Sequence, residues 1–243
     1  MTENVIIIPT RLEAKRLPNK PIKKINNKEM ILHVYEAAKK ANIGEVIVAS
    51  PNQQIYELIT SAKGFCVKTR PDHKTGTDRI FEVFDKFLKR KPQTIINLQG
   101  DMPNIQPSSI LKLDKLMRNN KCDIGTLASN IISKDEIIDP NIVKVVTNQK
   151  LDRENFLEAN DFFRNKNCSN IEKIYHHIGI YAYTNKALEK YVQLDRSKLE
   201  VERNLEQMRA MENNMSIKVG LCEHQTLGVD TEQDLIKVIK EMK

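Results

Sequence analysis

Val5–Pro21 reads VIIIPTRLEAKRLPNKP, and the fold class follows from how its first residues hand over to its last. Val5, Ile6, Ile7 and Ile8 are consecutive, β-branched and apolar, with no polar alternation. That is the pattern of a strand buried on both faces, and such strands belong to parallel sheets covered by helices. Pro9 is expected to end the strand. From Arg11 to Lys28 the chain carries Arg11, Lys15, Arg16, Lys20, Lys23, Lys24 and Lys28 against Glu13 alone, a net charge of +6. A run of cations is often only a solvated surface, but this one leaves the C-terminal end of a first strand, where open α/β sheets bind ligands. An anion is expected there. With no GxGxxG and no GxxxxGK[ST], neither a dinucleotide fold nor a P-loop is signalled, so side-chain cations have to replace backbone amides around phosphates.

Outward from this stretch, strands and helices alternate. Met30–Ala41 has Ile31, Val34, Ala38 and Ala41 at helical spacing. Glu45–Ser50 is a second buried strand, Gln53–Lys63 a helix stopped at Gly64, and Phe65–Lys68 a short strand. A helix carrying Ile80, Val83, Phe84 and Phe87 on one face is followed by the strand Thr94–Leu98. Pro107–Arg118 is a helix with Ile110, Leu113 and Met117 inward, and Ile124–Ser129 a strand. Beyond a strand entered through Asp139–Thr147, the pattern predicts a strand at His176–Tyr183, helices at Asn185–Tyr191 and Leu199–Asn213, a strand at Ser216–Gly220 and a last helix opened by Thr231. This spacing predicts right-handed βαβ crossovers in a mainly parallel sheet.

The 243 residues are 40% hydrophobic and 29% charged, too apolar for disorder and ordinary for a globular chain. The net charge of +7 suits a small polyanion as well as nucleic acid, and no nucleic-acid-binding motif appears. Cys66, Cys122, Cys168 and Cys222 have neither CxxC spacing nor a His cluster, so they are read as reduced and mostly buried. Neither a leader nor an apolar run of transmembrane length is recognised, and a cytoplasmic protein without stable membrane association is expected.

Three polar segments stand at strand ends. Thr69–Arg79 (TRPDHKTGTDR) precedes a helix, where Thr77 is read as the N-cap and Asp78 as complementing the helix dipole. Arg70, His73 and Arg79 have no such structural reason. Gln99, Gly100 and Asp101 follow the strand Thr94–Leu98. Gly100 permits close approach of backbone to ligand, and a carboxylate beside a strongly basic site suggests Mg²⁺, which takes one or two protein carboxylates together with water and phosphate oxygens. Thr231 with Asp234 reads as a capping-box start, with Asp230 just before it. In His176–Tyr183, His177, Tyr181 and Tyr183 share one face of a strand.

R-x4-R-L-P-x-K-P after the first strand (Arg11–Pro21) resembles the signature of sugar nucleotidyltransferases, most closely the CMP-Kdo synthetases (3-deoxy-manno-octulosonate cytidylyltransferases). Thr69–Arg79, Leu98–Pro103 (LQGDMP), Asp139–Thr147 (with its P-x-x-V-K), His176–Tyr183 (HHIGIYAY), Leu205–Arg209 (LEQMR) and Val229–Leu235 resemble further segments of that family in the same order. The resemblance implies a three-layer α/β/α nucleotidyltransferase fold, Rossmann-like, with a small dimerisation and sugar-binding subdomain. One domain over 1–243 is expected, with 1–130 mainly nucleotide-binding and 131–243 mainly sugar-binding and dimerising. It implies transfer of a cytidylyl group from CTP to a 2-keto sugar acid by a homodimer, with Mg²⁺ on Asp101 and Asp230. Arg11, Arg16, Lys20 and Asp101 would be catalytic, and Arg11, Lys20, Arg70, His73, Thr77 and Asp78 would hold the nucleotide. Gln99, His177, Tyr181, Glu206 and Gln207 would meet the sugar, and Lys144 would reach a phosphate.

Two departures stand out. Asn19 replaces the family's usual Gly between Pro and Lys, and Asn148–Ser169 lacks the SRxxIP segment whose Arg holds the sugar acid. Arg164 or Arg153 is the candidate replacement, and cytidine selectivity is expected to be normal while sugar selectivity differs or loosens. Other readings are a cytidylyltransferase for a sialic-acid-like or amino-substituted sugar, or a non-catalytic nucleotide- or RNA-binding protein.

Overall fold

The computed structural model describes residues 4–164 and 172–242; Cys168 lies outside them. The chain groups into two compact units, Met1–Leu111 with Thr226–Lys243, and Lys112–Gln225.

The first unit begins with β1 (Asn4–Pro9), a 3₁₀ turn at Lys20–Ile22, and the hairpin β2 (Lys24–Ile25) and β3 (Lys28–Glu29). Then come α1 (Met30–Ala41), β4 (Glu45–Ser50), α2 (Gln53–Ser61), β5 (Phe65–Lys68), α3 (Gly76–Lys86) and β6 (Thr94–Leu98). Its strands lie in the order β5-β4-β1-β6, each pair parallel. Ile6, Ile7 and Ile8 are 0% exposed, and burying such a side chain contributes about 1.5–3 kcal/mol. Pro9 ends β1 as expected, as its last residue, paired opposite Ala49. Thr10 then donates its N–H to the Ala49 carbonyl.

Helix ends differ from expectation for local reasons. α2 stops at Ser61 because Lys63 takes the left-handed conformation (φ 57°). Gly64 then donates to the Ile59 carbonyl and Lys63 to that of Thr60, a Schellman closure. Gly64 supplies room instead of a positive φ: a Cβ there would stand 2.7 Å from Ile59 Cγ2 and 2.9 Å from the Tyr35 ring. In α3 the N-cap is Thr75, not Thr77, and its hydroxyl and the Asp78 carboxylate form a reciprocal capping box. Phe87 falls beyond the helix and is exposed.

The unit boundary falls within α4 (Pro107–Asn119). The second unit continues with β7 (Ile124–Ser129), α5 (Lys134–Ile138), β8 (Lys144–Thr147), β9 (Phe156–Phe163) and β10 (Ile174–Thr184). It ends with α6 (Asn185–Gln193), α7 (Lys198–Arg203), α8 (Gln207–Glu212) and β11 (Ile217–Leu221). Its strand order is β10-β7-β11-β9-β8. Only β7 and β11 run parallel among its described pairs, the others being antiparallel, so the parallel character expected of the sheet resides chiefly in the first unit.

Leu199–Asn213, expected as one helix, is two. Asn204 turns left-handed (φ 53°) after α7, the N–H of Leu205 returns to the Glu200 carbonyl, and Leu205 is buried. The break lets Arg209 of α8 reach back to Glu200 of α7. Its Nε and Nη2 each donate to a Glu200 carboxylate oxygen at 2.7 Å.

The chain then returns to the first unit in α9 (Glu232–Glu241). Val229, Leu235 and Val238 pack with Leu17, Ile25 and Met30 in one apolar cluster, which fixes the chain's end against the basic segment near its start.

Candidate active site

The cluster around Leu17 and Val229 decides what meets what. Asn19 adopts φ 58°, ψ 24°, a left-handed conformation that glycine adopts freely and asparagine tolerates. Asn19 therefore preserves the turn that delivers Lys20. Opposite, Val229 donates its N–H to the Asp101 carbonyl at 2.9 Å, tying the segment before α9 to the end of β6. Asp230 follows, and its N–H donates to the Asp234 carboxylate within the capping box Thr231 makes with Asp234.

Lys20 Nζ donates to Asp101 Oδ2 at 2.7 Å and to Asp230 Oδ1 at 3.1 Å, and Arg16 Nη2 lies 2.8 Å from Asp230 Oδ2. Burial works against the Lys20 charge, but the two carboxylates outweigh it and hold its pKa above the ordinary lysine value. Lys23 faces Glu232, Lys24 faces Glu29, and Lys28 faces Glu36. The charge run is thus largely matched by carboxylates from elsewhere in the fold. Arg11 is exposed. The loop just after it is pinned by Asn52, whose Oδ1 accepts from Leu12 N–H and whose Nδ2 donates to Glu13. That hydrogen bond lowers the Glu13 pKa. No sequence signal pointed to Asn52.

Gly100 has a packing reason. A Cβ there would meet Ile31, Thr10 and the Pro9 carbonyl at 3.1–3.3 Å, so the absent side chain lets the end of β6 approach the end of β1. Beside it, Gln99 donates to Asn97 Oδ1.

The Thr69–Arg79 segment is more structural than expected. Arg70 is exposed near Asp72, whereas Arg79 is buried and donates to Thr69 Oγ1 and the Arg70 carbonyl. Thr77 is buried inside α3, and Asp78 is engaged in its cap. His73, expected at the nucleotide, is buried with Nε2 2.6 Å from Glu82 Oε2. Burial opposes the Glu82 charge, but hydrogen bonds from His73, Arg70 N–H and Lys86 bring its pKa down to about 2. A depressed carboxyl contributes stability that is present above its unfolded value near 4.5 and lost as pH falls towards 2. His73→Ala is therefore expected to cost about 1–3 kcal/mol, to move the acid-unfolding midpoint upward, and to leave KM for the nucleotide that the resemblance implies within about twofold. Urea melts from pH 7 to pH 2 with parallel kinetics check this. A large KM change with an unmoved midpoint would return His73 to the nucleotide.

In the second unit, His177, Tyr181 and Tyr183 do share a face of β10. Phe162, His177, Tyr181, Tyr183 and Tyr191 follow one another with ring centroids 5.1–6.3 Å apart. Burial, with His176 and Arg164 adding to it, pushes the His177 pKa down to about 3. His177 is thus neutral at physiological pH, and its Nε2 lies 2.9 Å from Thr126 Oγ1. Tyr191 donates its hydroxyl to the Glu206 carbonyl, while Gln207 opens α8 and is buried. Lys144, expected at a phosphate, is 0% exposed and donates to the carbonyls of Asp139, Ile142 and Arg164. It organises backbone instead. The Arg164 charge acts on both His177 and Tyr181, and Arg164 Nη1 donates to the Asn141 carbonyl at 2.8 Å. Arg153 is exposed against Glu223, so of the two arginines Arg164 is the one placed by that face.

Residues 5–217 match the family model described as cytidylyltransferase. A 3-deoxy-manno-octulosonate cytidylyltransferase of Bartonella tribocorum is 42% identical over 98% of both chains. The chain belongs to the cytidylyltransferase family. A solved structure of CMP:2-keto-3-deoxy-manno-octonic acid synthetase complexed with CTP matches with a TM-score of 0.87 and 37% identity over 98% of each chain. The 4-diphosphocytidyl-2C-methyl-D-erythritol synthase of Anaerococcus prevotii, 14% identical with a TM-score of 0.66 over 98% of this chain and 97% of its own, shares the fold alone. The three-layer α/β/α nucleotidyltransferase fold expected from the sequence is thus the fold of this cytidylyltransferase.

For a cytidylyltransferase the first unit offers paired cations and carboxylates at strand ends. Among the described residues no three His, Cys, Asp or Glu side chains gather into a metal cluster. The two carboxylates converging on Lys20 still suit Mg²⁺, which needs only one or two from the protein, and their grip on an ammonium shows that the place favours a cation. Among the described residues no helix is long and apolar enough to cross a membrane.

Proposed function

We propose that this cytidylyltransferase transfers the cytidylyl group of CTP to the anomeric hydroxyl of 3-deoxy-manno-octulosonate, releasing pyrophosphate. The product, CMP-Kdo, serves lipopolysaccharide synthesis; the enzyme works in the cytoplasm as a homodimer, with Mg²⁺ as cofactor. The observation that carries the reading is the meeting of Lys20 and Arg16, from the segment after β1, with Asp101 past the end of β6 and Asp230 before α9. Full-length likeness to enzymes named for this sugar supports the choice of acceptor.

The anomeric hydroxyl gives up its proton to solvent as its oxygen bonds to the α-phosphorus, and the bond from that phosphorus to the oxygen shared with the β-phosphate breaks, releasing pyrophosphate. Arg11, Arg16 and Lys20 supply positive charge for the departing pyrophosphate, where charge develops. Asp101 and Asp230 would hold Mg²⁺, which when bound neutralises phosphate charge. We assign the exposed Arg70 to the nucleotide and Gln99, just past β6, to the sugar. In the second unit the neutral His177, Tyr181, Glu206 and Gln207 offer hydrogen bonds to hydroxyls. Arg164 offers the fixed positive charge that a sugar carboxylate needs.

Pyrophosphate release from CTP with Mg²⁺ and a panel of sugar acids tests this directly: release with Kdo is expected, and, because the SRxxIP segment is missing, release with other sugar acids to a lesser degree. Arg164→Ala should raise KM for the sugar about ten- to a hundredfold, the worth of one charge-assisted contact, and leave KM for CTP unchanged. No change in either constant would mean that the carboxylate is held elsewhere.

A further inference from the structure

The Lys20 ammonium and a divalent cation are candidates for the same oxygens. Lys20 Nζ is 2.7 Å from Asp101 Oδ2 and 3.1 Å from Asp230 Oδ1, and Arg16 Nη2 is 2.8 Å from the remaining Asp230 oxygen. The Lys20 side chain is 15% exposed. Like charges a few ångströms apart repel strongly in such a partly dry place, so the ammonium, while it stays, weakens the hold of both carboxylates on Mg²⁺. Nor is Lys20 held there by its backbone. The turn at Asn19–Ile22 fixes the Cα, and the four-carbon stem leaves the ammonium free to move to a neighbouring anion.

We propose that Lys20 is an internal counter-ion that competes with the metal for Asp101 and Asp230. Triphosphate oxygens, by drawing Lys20 and Arg16 onto themselves, release the two carboxylates to the metal. Metal and nucleotide then strengthen each other's binding through one side chain, a coupling that is reciprocal. This rests on the reading of Asp101 and Asp230 as the metal ligands.

The test is titration of the full chain with Mn²⁺ in the absence of nucleotide, followed by electron paramagnetic resonance or calorimetry, with thermal melts to confirm folding. Lys20→Met should bind Mn²⁺ at least about tenfold more tightly than the parent, and Lys20→Arg, which keeps the charge, should bind as weakly as the parent. Adding Asp101→Asn to Lys20→Met should abolish the gain. Parent-like or weaker binding by a folded Lys20→Met, with binding still lost in Asp101→Asn, overturns the counter-ion role alone. If Asp101→Asn leaves Mn²⁺ affinity unchanged in both backgrounds, the metal lies elsewhere and both the ligand assignment and this inference fall.

Discussion

Asp101→Asn is expected to lower the rate of CMP-Kdo formation by about a hundred- to a thousandfold while the protein stays folded. Removal of even one hydrogen-bond donor that stabilises a transition state costs about that much in well-studied active sites, and a metal-holding carboxylate is expected to matter at least as much. The substitution conserves volume but removes a negative charge at the end of β6, leaving Lys20 and Arg16 with Asp230 as their remaining carboxylate. Stability should change little, because the Asp101 side chain is 29% exposed and partly exposed ion pairs contribute about 0–1 kcal/mol. The backbone bond from Val229 to the Asp101 carbonyl does not depend on the side chain. Pyrophosphate release under saturating CTP, Kdo and Mg²⁺, together with a thermal melt, separates chemistry from folding. A near-parental rate would sink the assignment of Asp101, and a collapse in Tm would make it a structural residue.

Arg209→Met should be among the most destabilising single substitutions in the second unit, at about 3–5 kcal/mol. Glu200 is 0% exposed and Arg209 4%, and their two parallel hydrogen bonds join α7 to α8. Removing Arg209 leaves the Glu200 charge with the half-exposed Arg196 as its remaining arginine, in a medium that solvates a carboxylate poorly. Arg209 also lies 4.7 Å from the centre of the Tyr191 ring, and Tyr191 in turn holds the Glu206 carbonyl. The loss should therefore loosen the turn that presents Glu206 and Gln207. Burial opposes the Glu200 charge, but Arg209 and Arg196 hold its pKa below the usual 4.5. Its contribution is thus present above that pH and fades as pH falls below it. Denaturant melts at pH 7 and pH 4 should show the gap between parent and variant narrowing with acid. In the double variant with Glu200→Gln part of the loss should return, since the stranded charge is gone. A loss under 1 kcal/mol at pH 7 would mean that the pair contributes little.

β1, α1, β4, β5, β6 and β7 stand where hydrophobic periodicity placed them, because burial on one face or both is a local pattern that any stretch of chain displays on its own. The failures are also local in cause. Thr75 and Thr77 are equivalent cap candidates until the helix start is known, and Asn204 breaks Leu199–Asn213 because its left-handed turn buries Leu205 and lets Arg209 reach Glu200. Polar residues were legible only as types. His73 and Lys144 sit in segments rich in function, yet one is committed to Glu82 and the other to three carbonyls, choices that depend on which groups burial leaves without water. The same holds at the site. The sequence alone determined that a basic segment would follow the first strand and that Asp101 and Asp230 would stand at the ends of elements. Only the tertiary structure decided that Lys20 meets both carboxylates, 81 and 210 residues away. A charge shows in the sequence wherever it lies, but its partner is chosen by the apolar cluster of Leu17, Met30 and Val229 that brings the two ends of the chain together.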